Sequence, residues 1–166
     1  MSKTRICIVG SGHTAFGRFD GRTLEELIVE AAREALESAQ VDVERIDAVF
    51  LGHFNSGLVK DGFASSLVHQ ADPALRFTPA TRCENACASG AAAIFAGMNA
   101  IRAGEAETVS PGEPLSDAPC AGGKAPIIRV QLGAIEKRGR IRRAAGRGIQ
   151  PVCDIHASTP DRPAAR

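Results

Sequence analysis

An apolar strand, a capped amphipathic helix and a second apolar strand follow one another within the first 52 residues, and that order leaves few folds open. Arg5-Ile6-Cys7-Ile8-Val9 is an almost uninterrupted apolar run closed by Gly10-Ser11-Gly12, the pattern of a strand covered on both faces in a parallel sheet. Thr23 and Glu26 then form a capping-box signature. Leu24, Leu27, Ile28, Ala31, Ala32, Ala35 and Ala39 recur at spacings of three and four, whereas Glu25, Glu30, Glu34 and Glu37 fall on the other side. Ile46 to Gly52 supplies the second strand. Strand, helix and strand in this order predict an α/β domain with a right-handed crossover. Cys7, inside the first strand, is expected to pack in the core.

The glycines after the first strand invite a dinucleotide-binding reading, but the fingerprint needs a third glycine at residue 15, where this chain has Ala15. No helical pattern starts there either. His53, Phe54, Asn55, Ser56 and Gly57 follow the carboxyl end of the second strand, the edge of an α/β sheet at which ligands bind. Asn55 is therefore a candidate substrate-binding residue, and His53 a candidate pocket residue. A loop histidine is more often a surface residue than a catalytic one.

Asp61 to Gln70 reads as a short helix ended by the Asp72-Pro73 turn, and Phe77 to Arg82 as a strand. Glu84-Asn85-Ala86-Cys87-Ala88-Ser89-Gly90 comes next, followed by a run of small residues to Gly104. Cys87 stands where turn-like sequence becomes helix. Unpaired backbone N–H groups at a helix N-terminus favour a thiolate, which is the nucleophilic form of cysteine. A lone cysteine before a helix more often packs than reacts. Here the residues after it are nearly all tiny, leaving backbone amides within reach of a ligand and marking Ser89 and Gly90 as candidate substrate contacts. Gly90 and Gly97 would each cost about 1 kcal/mol relative to Ala inside a helix, so close approach to neighbouring backbone explains them better than propensity. Ala92, Ile94, Phe95, Met98, Ala100 and Ile101 surround this helix on several sides and predict a buried central position.

The Cys87 motif, together with Arg5 to Gly12, Thr14 to Phe19 and Ile101 to Val109 in the same order, resembles the amino-terminal part of a thiolase. The nearest branches are the sterol-carrier-protein-type thiolases and the acetyl-CoA acetyltransferases. The resemblance implies the fold: an incomplete thiolase-like amino-terminal domain over residues 1–109, mainly parallel sheet with a buried central helix, joined to an irregular carboxyl-terminal tail. It also implies the chemistry. Cys87 takes an acyl group from acyl-CoA as a thioester, and a second acyl-CoA, deprotonated at its α-carbon, attacks it to give a 3-ketoacyl-CoA; thiolysis is the reverse. No cofactor is implied beyond these CoA thioester substrates. The expected partners are acyl-CoA, CoA and either a second copy of the chain or a complementing subunit. In the family, the activating His, the oxyanion-hole His and a second Cys lie in the later half. Cys120-Ala121-Gly122 and His156 have the residue types but not the flanking sequence.

The resemblance stops at Val109, and the composition changes there too. Residues 1–109 hold 10 basic and 14 acidic side chains, net −4, against 10 and 5, net +5, in residues 110–166. All seven Phe lie before the break and seven of the nine Pro after it. Ser110-Pro111-Gly112-Glu113-Pro114 is expected to end the strand begun at Glu105, because proline lacks the ladder donor. Pro126 to Gly133 is compatible with a short strand. The remainder, rich in Pro, Gly, Ala and Arg, reads as a disordered tail, of the kind a frameshift or gene truncation would produce.

The basic stretch from Ile135 to Arg147 has no aromatic residue on which bases could stack, so nucleic acid is not an expected partner. Five cysteines without paired metal-ligand spacing give no metal site, and they suit a reducing cytoplasm. No stretch has the length of a membrane span. Alternative readings are a non-catalytic thiolase-like module that pairs with another subunit, or a ketoacyl-synthase relative that depends on acyl-carrier protein.

Overall fold

The computed structural model describes residues 6–15, 17, 19, 21–54, 62–116, 128–137 and 152–153. Six strands form one mixed sheet: β1 (Ile6–His13), β2 (Ala48–Gly52), β3 (Ala80–Cys83), β4 (Thr108–Ser116), β5 (Ile128–Lys137) and β6 (Val152–Cys153), in the order β3-β2-β4-β5-β1-β6. Helices α1 (Leu24–Ala39) and α2 (Ser89–Ala103) cover it. Strands β2, β3 and β4 are parallel, as the apolar run of β2 predicts. β1 runs in the same direction but pairs antiparallel with β5 and β6, so the parallel neighbours expected for it are absent. The first strand–helix–strand unit thus joins two codirectional strands that are not adjacent.

Alternation along β2 divides the core into two layers. Val49 and Leu51 pack with Leu27, Ile28, Ala31 and Ala35 of α1, whereas Ala48 and Phe50 pack with Met98 and Ile101 of α2. One face of the sheet therefore belongs to each helix. Helix α1 forms as its sequence dictates: the Thr23 hydroxyl accepts the Glu26 N–H at 3.2 Å, and the Glu26 carboxylate accepts the Thr23 N–H at 2.8 Å. Its buried stripe is Leu24, Leu27, Ile28, Ala31, Ala32 and Ala35. Removing Leu27 and Ile28 from water contributes about 1.5–3 kcal/mol each.

The Gly10-Ser11-Gly12 segment serves this packing. The β1–β5 register shifts between Ile8 and Gly10, so the extra residue resets which side chains face which helix. Ile6 and Ile8 pack in the α2 layer, but a Cβ on Gly10 would lie 2.5 Å from Ala39 of α1. One on Gly12 would meet the backbone of Ala31 and Ala35. Among the described residues, the edge of β1 beyond its two pairs with β6 is met by α1: Ser11 N–H donates to the Ser38 hydroxyl at 3.4 Å and His13 N–H to the Glu34 carboxylate at 3.0 Å. The glycines admit a helix against the strand, a structural role that replaces the nucleotide fingerprint.

Two corrections concern the middle of the chain. The helix expected over Asp61 to Gln70 is a 3-10 helix confined to Ala64–Gln70, and a second one, Pro73–Phe77, follows with Asp72 as its N-cap. The strand expected to break at Ser110 runs on to Ser116. Its pairing with β5 skips Ser110 and Pro111 and resumes at Gly112 in the same register, so the proline falls in a gap of the ladder. Past Gly112 no further pairing joins β4 to β2, leaving β5 as its described partner around Pro114. Residues 128–137 form β5, a longer strand than the Pro126–Gly133 expectation.

Candidate functional site

The carboxyl ends of β2 and β3 meet the amino end of α2, and Cys87 lies on the turn between β3 and α2. Two contacts hold these pieces together. The backbone N–H of His53 donates to the Cys83 carbonyl at 2.9 Å, tying the exit of β2 to the end of β3. Gly52 lies directly under the start of α2, where a Cβ would fall 2.5 Å from the Ser89 carbonyl carbon and 2.7 Å from the Gly90 nitrogen. Further along, a Cβ on Gly97 would sit 2.8 Å from a Val109 methyl, so the small-residue pattern does reflect close approach of α2 to the sheet.

The turn itself is built around Ser89. Its hydroxyl accepts the Asn85 N–H at 2.8 Å and donates to the Ala86 carbonyl at 2.8 Å, and the side chain is fully buried. Backbone bonds from Ala88 N–H to the Asn85 carbonyl (2.9 Å) and from Ser89 N–H to the Ala86 carbonyl (3.2 Å) close it further. Ala86, immediately before the cysteine, has φ 45°, a left-handed conformation that costs a non-glycine residue on the order of 1 kcal/mol. Strain at this position, locked by a buried hydroxyl, brings Cys87 to the surface, where it is exposed. No side chain caps α2, since Ala88 stands at the N-cap. The amino end of α2 is thus without a side-chain acceptor, and the Ser89 N–H is taken up by the Ala86 carbonyl.

Of the residues singled out from sequence, Cys87, Ser89 and Gly90 come together here. Ser89 and Gly90 are both buried beneath the turn, so the Ser89 hydroxyl is occupied in holding the backbone that presents Cys87. His53 is 2% exposed, at the end of β2, and is therefore a packed residue and not a surface one. Asn55, Cys120 and His156 lie outside the described residues, as does most of the basic stretch. Sequence reasoning missed Cys83, half-buried at the end of β3, whose thiol is pushed above the usual range by burial. It also missed Gly52; the glycine closing an apolar run was the available signal. Among the described residues no cluster of metal-ligating side chains occurs, and no helix is long and apolar enough to cross a membrane.

Helix α2 is buried along its sheet-facing side through Ser89, Gly90, Ala93, Gly97, Met98 and Ile101. The opposite stripe, Ala91, Phe95, Asn99 and Arg102, is exposed, with Phe95 at 53%. Burial expected on several sides is thus met on one.

The geometry coincides with relationships to known proteins. Solved structures with this fold include human mitochondrial 3-ketoacyl-CoA thiolase in complex with CoA, with a TM-score of 0.61 and 25% identity, covering 73% of this chain and 34% of that one. The fold alone is shared with 3-oxoacyl-[acyl-carrier-protein] synthase III from Aquifex aeolicus, at a TM-score of 0.64 and 16% identity. Among curated relatives, the acetyl-CoA acetyltransferase of Methanocaldococcus jannaschii is 35% identical over 106 residues, covering 63% of this chain. That of Methanothermobacter thermautotrophicus is 37% identical over 101 residues, covering 60%. This chain spans 26% of the length of each. The family pattern described as thiolase, N-terminal domain, matches residues 6–147, a span that includes the β3–turn–α2 unit and continues past Val109 into β4 and β5. By that match, over most of its length, the chain belongs to the thiolase family.

Proposed function

We propose that this chain supplies the acyl-accepting half of an acyl-CoA C-acyltransferase, with Cys87 as the nucleophile. The observation that supports it most is the exposed Cys87 on a strained turn, held from below by the Ser89 hydroxyl and by Gly52. In this reading the Cys87 thiol gives up its proton, the thiolate attacks the thioester carbonyl of acyl-CoA, CoA leaves as a thiolate that takes up that proton, and the acyl group rests on sulfur. Ser89 and Gly90 act on the substrate through the shape of the turn and its amides. The exchange needs no cofactor.

Condensation and thiolysis ask for more: a base for the thiol, an acid–base for the α-carbon and donors for the developing oxyanions. The chain alone is therefore expected to accept an acyl group without turning over. Partnership with a second copy or a complementing subunit is part of the proposal, supported by the uncovered stripe around Phe95. A cytoplasmic setting belongs to it as well.

Incubation of the chain with acetyl-CoA, an acid quench and peptide mass spectrometry test the reading. An acetyl group on the Cys87 peptide that disappears in Cys87→Ala is expected, with no cleavage of acetoacetyl-CoA by the chain alone. Absence of the adduct, or an adduct indifferent to the substitution, overturns the nucleophile assignment. A stable complex with a separate subunit that survives Cys87→Ala, without any adduct, favours the non-catalytic module.

A further inference from the structure

We draw no further inference here: the strongest candidate, the exposed stripe of α2 formed by Ala91, Phe95, Asn99 and Arg102, is an unpartnered helix face, and nothing in the structure shows what covers it.

Discussion

Gly52→Ala is the sharpest probe of how the fold positions Cys87. The added methyl would lie 2.5 Å from the Ser89 carbonyl carbon and 2.7 Å from the Gly90 nitrogen, and closer still to the Ser89 oxygen. Ordinary contact starts near 3.4 Å, so the end of β2 and the start of α2 must separate by about 1 Å, the size of misfit that overpacked cores do not absorb freely. All three atoms are backbone, and no rotamer change relieves them. Overpacking of this kind costs about 1–3 kcal/mol. At roughly 2–4 °C per kcal/mol for a chain of this size, the midpoint of thermal unfolding should fall by about 2–12 °C. The same displacement distorts the turn, so the rate at which iodoacetamide labels Cys87 should change as well. Gly17→Ala is the control, since a Cβ there meets nothing within 4 Å. If Gly52→Ala matches Gly17→Ala in both melting temperature and labelling rate, the β2–α2 contact does not hold the turn and the account of how Cys87 is presented fails.

Three other outcomes follow from the same structure. Ser89→Ala leaves the Asn85 N–H and the Ala86 carbonyl without the hydroxyl that joins them, at a cost of about 1–3 kcal/mol; denaturant unfolding measures it, and Ser89→Thr should recover part of the loss. Burial holds the Cys83 thiol above its ordinary pKa of 9.0 because it penalises the thiolate. Cys83 alkylation should therefore keep accelerating as pH rises beyond 9, and the contribution of this thiol to stability, present at lower pH, is lost as the unfolded chain ionises first; a rate that levels off at or below pH 9 would contradict the shift. Thr23→Ala removes the capping box of α1 and should cost about 1 kcal/mol, read as a lower chemical denaturation midpoint with unchanged slope.

Helix α1 was fully legible in the sequence, because a capping box and a single apolar stripe are local properties that need no knowledge of what the helix touches. The strand identity of β2 and the placement of Cys87 between turn and helix were legible for the same reason. The end of β4 was not. Proline forbids a ladder bond only where its missing donor would have pointed at a partner, and whether Pro111 and Pro114 meet that condition depends on which strands lie beside them. The role of Gly10 and Gly12 was hidden likewise: a short glycine motif reads as a ligand loop or as room for a helix, and the neighbour decides which.

The sequence by itself determined the α/β character, the capped helix, the position of the candidate nucleophile and the resemblance to thiolases, all carried by residues near one another in the chain. Only the tertiary structure decided that β1 lies between antiparallel partners, that Ser89 supports the Cys87 turn from within, and that one stripe of α2 stays open. The strand pairings join segments far apart in the chain, and strand order and burial arise from contacts that local propensity does not encode.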